Sequence, residues 1–288
     1  MTQTAETTHT IPSTKVVGRP HPWRWVSYVI VALALALFVK SLLTNKNWDF
    51  GVVGDYLFDA SVLKGLVVTV ELTVTAMVAG LVLGSIIAGF RLSPSRILSG
   101  LAAAYIWFFR GVPVVVLIIF FVYLAQLYPY LSLGIPFGPQ FIYFNTKDLV
   151  APMVGCIIGL TLNESAYLAE ILRGAVAAVP KGQIEAAAAL GMTPGQIRRR
   201  VLLPQILPVA VPPFFNNVIS MTKTTAVVIL ASVIDLFSAV EVIAGRVLLQ
   251  TPLLLVATFW YLLMTAALTL LEFGLERALT RHLRPSRQ

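Results

Sequence analysis

The chain has 288 residues, of which 58% are hydrophobic and only 12% charged, and it carries a net charge of +8. Soluble domains carry roughly 25% charged residues, so a soluble enzyme or binding module is excluded and an integral membrane protein remains, with room for one membrane domain and no second folded domain. In such a protein a positive excess belongs to cytoplasmic loops; no aromatic–basic cluster points to nucleic acid, and the single cysteine, Cys156, lies in an apolar run and allows no disulfide framework.

Residues 1–25 are polar and Thr-rich, with Pro12, Pro20 and Pro22, and are expected to form a disordered cytoplasmic tail. The next apolar run, 26–43, contains Ala32, Ala34 and Ala36, small residues like those of a signal-peptide cleavage site. It is longer than a typical signal core and follows a long tail, so it reads as a retained transmembrane helix. A polar loop, 46–60, carries Asp49, Asp55 and Asp59. The second span, 63–90, contains Gly80, Gly84 and Gly89, which permit close helix packing. In the turn 91–96, Ser93 and Pro94 read as N-cap and first residue of the next helix. From there to Tyr128 is too long for one span of about 20 residues. The segment divides into an interfacial helix, 95–109, and a span, 111–128, with Pro113 at the junction and Tyr105, Trp107 and Arg110 as interface residues. A loop, 129–148, precedes the fourth span, 149–172. The fifth is 211–234, a loop or short helix covers 238–251, and the sixth span, 252–273, leads to a basic tail, 276–288.

Between the fourth and fifth spans lies the most basic insert in the chain, 179–208. Pro180 suits the first turn of a helix, residues 183–190 are mostly good helix formers, and Gly191 stands where a left-handed cap is wanted. Thr193, Pro194 and Gln196 spell a new start as N-cap, first residue and capping-box partner, and Pro204 marks its end. Ile184, Ala187, Ala188 and Leu190 form a small apolar face, and Arg198, Arg199 and Arg200 a charged one. Counted from a cytoplasmic N-terminus, the inner segments hold fifteen of the 21 Lys and Arg residues, among them Arg91, Arg96, Arg110, Arg173 and Lys181. The outer segments hold Lys40, Lys46, Lys64, Lys147 and Arg246. This asymmetry places the insert and both termini in the cytoplasm.

Charges inside a span mark function by default. Glu164, between Asn163 and Ser165, lies deep in the fourth span, and Lys223 lies in the fifth. Asn216, Ser220, Lys223 and Thr224 fall on one helical face, a polar stripe expected along a water-filled path or a helix interface. Two readings of Glu164 and Lys223 stand together. They form an internal ion pair or hydrogen-bonded glue between helices, or they flank a transient site for a zwitterion, with Glu164 toward an ammonium or guanidinium and Lys223 toward a carboxylate. Glu71, beside Thr69, Thr73 and Thr75, is expected in a structural hydrogen bond rather than a substrate contact. Glu170 and Arg173 are spaced for a local pair. Arg110 either anchors the interface or pins the internal loop. There is no P-loop, no H-E-x-x-H and no paired-cysteine metal spacing, and His9, His21 and His282 lie in the tails.

The run EAAAALGM (185–192), followed by RRRVLLPQILPVAVPPFFNNVISMTKTTAVV (198–228), resembles the cytoplasmic signature loop of ABC-transporter permeases, in the branch that imports polar amino acids. GLVVTVELTVTAMVAGLVLG (65–84), FFRGVPVVVLIIFFVY (108–123) and SAYLAEILRGAVAAVPKGQ (165–183) resemble other segments of the same family. The resemblance implies an all-α integral membrane fold of about six helices. A five-helix type I ABC importer core, 63–275, would carry a coupling loop, 180–203, and follow an extra N-terminal helix. Glu185, Ala186, Ala187 and Gly191 would form the coupling helix and its turn, docked into a groove of an ATP-binding subunit. Asn163, Glu164, Asn216, Ser220, Lys223 and Thr224 would line the substrate path.

The implied partners are two ATP-binding cassette subunits, an extracytoplasmic amino-acid-binding protein, and a second permease of the same or a similar chain. The implied place is the bacterial inner membrane. This chain would have no catalytic residues and bind no cofactor or metal, ATP and Mg being held by the partner. Lys223-Thr224-Thr225-Ala226-Val227 departs from the family's usual Lys-Asp/Asn-Thr-Ser-Leu, and the loop 129–148 is longer than usual. Two other classes remain expectations to weigh: a secondary transporter driven by an ion gradient, with Glu164 and Lys223 as a relay, and a receptor or scaffold whose basic loop binds lipid headgroups or a signalling partner.

Overall fold

The structure, a computed structural model, describes residues 23–135 and 138–280. Most of the expected tail 1–25, residues 281–288 of the tail 276–288, and with them His9, His21 and His282, lie outside the described residues. Residues up to Trp48 form one unit and those from Asp49 onward another. The first unit is a helix, α1 (Trp23–Thr44), and a 3₁₀ turn, Lys46–Trp48. Its apolar run, Trp25–Ser41, is at the short end of what crosses a bilayer, roughly 17–25 residues.

The second unit opens with α2 (Phe50–Leu57) and α3 (Ala60–Arg91), the latter capped by the Asp59 carboxylate, which accepts from Ser61 N at 2.7 Å. Next is α4 (Arg96–Gly111). Its N-cap is Ser95, which accepts from Leu98 N, and not Ser93 as expected; the Ser93 hydroxyl accepts from Ser95 N and only shapes the turn. A 95° bend separates α4 from α5 (Val114–Val122). The bend has a local cause. A residue before proline is pushed out of the helical region, and Val112, ahead of Pro113, is extended at φ −85°, ψ 129°. The expected break at Pro113 is thus present, but α5 has only 9 residues, and α4 and α5 are long and apolar enough for a membrane only as a bent pair, not as an interfacial helix followed by a separate span, 111–128.

The segment expected as the loop 129–148 is structured. After α6 (Leu124–Leu127), β1 (Tyr130–Gly134) and β2 (Gln140–Asn145) pair antiparallel, from Tyr130 opposite Asn145, and α7 (Thr146–Leu149) follows. Phe141, Ile142, Tyr143 and Phe144 are strand-favouring types, a local signal outweighed in the reading by the flanking prolines.

At the centre of the unit stands α8 (Pro152–Ala177), packed against α3, α4, α5 and α11. Its 26 residues reach about 39 Å. It is nevertheless absent from the three helices long and apolar enough to cross a membrane alone, Ala60–Arg91, Pro194–Ala231 and Gln250–Leu279; the bent pair α4–α5 makes a fourth. The six expected crossings are therefore not all visible as apolar helices among the described residues. The reason for α8 is its position: protein, not lipid, covers its polar middle. Glycines let its neighbours close in. A Cβ on Gly84 of α3 would stand 2.8 Å from the Ser165 carbonyl oxygen, and one on Gly159 would stand 2.9 Å from the Ile118 nitrogen. Gly89 faces open space, so it plays no such part.

After α8 come α9 (Lys181–Ala189), α10 (Pro194–Gln196), a π-helical stretch Ile197–Leu202, and α11 (Leu203–Thr224), which runs on as a 3₁₀ segment, Thr225–Ala231. Pro204 does not end the helix as expected. A helix tolerates the missing N–H of proline where the preceding turn is re-satisfied. Here Leu203 N donates to Arg198 O in the wider π pattern, and the Gln205 amide donates to Val201 O at 2.8 Å. The chain ends with α12 (Leu236–Val247) and α13 (Gln250–Thr280). Leu72, Ile118 and Leu160 centre one buried cluster; Val62, Leu236, Val240 and Leu253 centre another around α12 and α13.

Candidate substrate cavity and coupling loop

The α4–α5 elbow, the middle of α8 and the C-terminal half of α11 line a polar cavity of about 410 Å³, within the roughly 300–1,000 Å³ of small-molecule sites. Asn163 and Glu164 line it from α8, Asn217, Ser220 and Thr224 from α11, and Arg110 from the elbow. The elbow exists because Pro113 interrupts α4, so a sequence-local event opens the space that the polar residues face.

Glu164 is 6% exposed. Its Oε1 accepts a 2.8 Å hydrogen bond from the Asn217 side-chain amide. Of the expected ion pair or hydrogen-bonded link between helices, Glu164 makes the link, through Asn217; Lys223 is exposed, lines neither this cavity nor the one beside it, and forms no ion pair with Glu164. Of the expected face, Ser220 and Thr224 line the cavity, whereas Asn216 and Lys223 do not. The residues turned to the cavity are Asn217, Ser220, Met221 and Thr224, spaced i, i+3, i+4, i+7. Asn216 lines the adjoining cavity, of about 360 Å³, with Arg110, Tyr167, Glu170 and Asn217. Asn217 was therefore missed. The doublet Asn216-Asn217 was a visible signal, but only the packing of α11 decides which amide points inward.

The flanking groups are fixed by identifiable contacts. The Asn163 amide donates to Phe109 O at 2.7 Å, tying α8 to the end of α4. Tyr105 OH and Ser165 Oγ share a 2.7 Å hydrogen bond. The Arg110 guanidinium lies over the Tyr167 ring, 5.1 Å from its centroid, a cation–π arrangement. Arg173 and Glu170 form the expected local pair, at 2.8 Å. Glu71 is exposed, and Thr75 bonds its backbone carbonyl rather than its carboxylate, so the expected side-chain bond is not formed.

A second buried carboxylate escaped the sequence reading. Asp235 is fully buried and caps α12. It accepts from Ser238 N at 2.9 Å, from Ser238 Oγ at 2.6 Å and from Thr69 Oγ1 at 3.4 Å. Thr69 Oγ1 in turn accepts from Leu236 N, and Gly65 lets α3 approach the Asp235 carbonyl. Asp235 lies one residue past the expected fifth span, 211–234, and before the expected loop or short helix, 238–251, so neither reading covered it.

On the loop between α8 and α11 the local grammar is realised. Gly191 has φ +77°, Met192 N donates to Ala187 O and Gly191 N to Ala188 O, the paired bonds of a Schellman cap. Thr193 and Gln196 complete a capping box. Pro180 sits at the N-cap, one residue before the expected first turn. Glu185 and Ala186 are exposed, whereas Ala187 is buried against the chain's own loop. Ala188 and Leu190, expected on the apolar face, are also exposed.

Residues 80–285 match the family described as the binding-protein-dependent transport system inner membrane component. The arginine transport system permease protein ArgU of Corynebacterium glutamicum is 38% identical over 89% of this chain and 80% of its own length. The histidine/lysine/arginine/ornithine transport system permease protein HisQ of Escherichia coli is 36% identical over 66% of this chain and 80% of its own. The glutamate/aspartate import permease protein GltK of Escherichia coli is 32% identical over 75% and 92%. A crystal structure of an amino acid ABC transporter with histidines contains a chain 28% identical, with TM-score 0.64 over 76% of this chain and 94% of that one. The inward-facing MetNI methionine ABC transporter, at 20% identity and TM-score 0.62, shares the fold. A central polar helix, a capped loop between α8 and α11, and these relatives converge: the chain belongs to the family of binding-protein-dependent transport system inner membrane components.

Proposed function

We propose that this chain is the membrane-spanning permease subunit of an ATP-driven bacterial importer for a polar amino acid, with a preference for a cationic one. The observation that carries the preference is the Glu164 carboxylate, buried beside a polar cavity with a single neutral amide as its hydrogen-bond donor among the described residues. An uncompensated buried charge is costly, and an ammonium or guanidinium entering the cavity supplies the missing counter-charge. ArgU and HisQ, whose names print arginine, support this reading; GltK, a glutamate/aspartate permease, shows that family membership alone does not set the charge of the substrate.

In this reading Asn163, Glu164, Ser220 and Thr224 contact or border the substrate in passage, and Asn216 lines the approach. Lys223, exposed on the next face of α11, acts on the path only together with a second permease, of the same or a similar chain. Glu185 and Ala186 present the loop to an ATP-binding subunit, one per permease and two in all, while Ala187 and Gly191 hold its shape. ATP and Mg belong to those partners, and the chain itself performs no catalysis. An extracytoplasmic binding protein delivers the amino acid, both termini lie in the cytoplasm, and closure of the ATP-binding pair is passed through the loop to the helices as a rigid-body motion.

Transport of radiolabelled arginine into proteoliposomes holding the full complex tests the reading. Glu164→Gln is expected to reduce uptake roughly tenfold or more, the scale of a lost interaction with a charged group, with complex assembly intact. Uptake unchanged in the assembled variant would sink the site. Uptake that needs only an imposed ion gradient, without ATP, would sink the importer class.

A further inference from the structure

Glu164 and Asn217 are 53 residues apart, on α8 and α11, yet share a 2.8 Å hydrogen bond. These are the two helices joined by the cytoplasmic loop: α8 leads into α9, and the run Pro194–Ala231 begins at the Thr193 capping box. The bond is thus a cross-strut at mid-membrane between the elements that the loop connects below. Among the described residues no cation is paired with Glu164. Arg110, which lines the same cavity, lies over Tyr167, Arg173 is bound to Glu170, and Lys223 is exposed on another face. On the far side α3 passes close behind the side chain: a Cβ added at Gly80 would stand 3.4 Å from the Glu164 Cβ and Cγ. On the other side the carboxylate meets Asn217 and the cavity.

The strut has a chemical peculiarity. A neutral amide gives an ionised carboxylate a hydrogen bond but no counter-charge, whereas an ammonium or guanidinium brings the opposite charge and, for a guanidinium, two parallel hydrogen bonds. It satisfies Glu164 enough to be held but not enough to resist exchange. We propose that Asn217 is the exchangeable partner of Glu164. It donates to the carboxylate while the cavity is empty and yields it to the ammonium or guanidinium of the substrate, so that loading the cavity unties α11 from α8. The proposal rests on the cationic-substrate reading above. It makes Asn217 a positioning residue that links cavity occupancy to the loop, beyond any direct contact with the substrate.

The consequence separates this role from an ordinary structural bond. Removing a competitor should tighten ligand binding while spoiling its effect. Arginine binding is measured directly on the purified complex without its binding protein, and ATP hydrolysis by the complete system is measured with and without arginine. Asn217→Ala is expected to bind arginine several-fold tighter, up to roughly tenfold from the loss of one competing hydrogen bond to a charged group. Its substrate-free hydrolysis should rise and its stimulation ratio fall toward one. Asn217→Gln, which keeps the amide on a longer arm, should retain most of the stimulation. If Asn217→Ala fails to assemble, Asn217→Ser is read by the same two measurements. Binding that is unchanged or weaker in an assembled variant, or a stimulation ratio equal to that of the parent, overturns the exchange while leaving the cationic-substrate reading in place. Failure of the parent complex to bind arginine, lysine, ornithine or histidine overturns both.

Discussion

The two buried carboxylates of the membrane domain form a natural contrast. Asp235 is enclosed by Ser238 N, Ser238 Oγ and Thr69 Oγ1 at a helix start, and a helix N-terminus is itself a favourable place for negative charge. Glu164 is nearly as buried but has one amide donor and borders a cavity. Burial of a charge is costly in either case. Where the protein supplies the partners, the group is part of the scaffold; where it withholds them beside open space, the proposed function has the group await a ligand. Burial alone would have ranked Asp235 first as a site.

Exchanging the charge at each position breaks this contrast most directly. Glu164→Gln should lower arginine transport roughly tenfold or more and leave the thermal stability of the detergent-solubilised complex unchanged or raised, since a buried charge is removed. Asp235→Ala should do the opposite. It strips hydrogen bonds from a buried cap and should destabilise the domain by about 2–3 kcal/mol, lowering the melting temperature, while the surviving complex keeps its preference among amino acids. A preference altered by Asp235→Ala would dissolve the distinction.

The next effect concerns the platform beneath Glu164. Gly84→Val forces a side chain toward the Ser165 carbonyl, where even a Cβ would come to 2.8 Å. Overpacking of this kind costs about 1–3 kcal/mol and should impair both assembly and arginine binding, whereas Gly89→Val, facing open space, should impair neither. On the loop, Glu185→Lys reverses an exposed charge and should reduce the coupling of ATP hydrolysis to transport severalfold without lowering membrane insertion; normal coupling would remove Glu185 from the docking surface. The smallest effects belong to the local caps. Gly191→Ala strains a φ of +77°, and Thr193→Ala loses a capping box. Each should destabilise the loop by about 1 kcal/mol, readable as faster hydrogen exchange confined to residues 181–205.

What was legible before folding was local or statistical. Composition fixed the membrane class, charge asymmetry gave the expected orientation, and Pro113 announced the break that becomes a 95° bend. Gly191, Thr193 and Gln196 declared their caps because a cap is decided within a few residues of chain. The signature loop gave the family. Errors arose where a local rule met a longer-range compensation. Pro204 reads as a stop, but a π turn and the Gln205 amide carry the helix through it. The β-hairpin was hidden behind prolines that flank strand-forming residues.

The sequence by itself determined the membrane setting, the family, the capped loop and the presence of a charged residue, Glu164, deep in the fourth span. Tertiary structure alone decided the partner of that charge. A helical stripe has a period but no absolute phase, so Asn216 and Asn217 were equivalent until α11 packed against α8. That packing, made close by glycines that admit neighbouring backbones, turned Asn217 toward Glu164, left Lys223 outside, and enclosed Asp235 among its own donors.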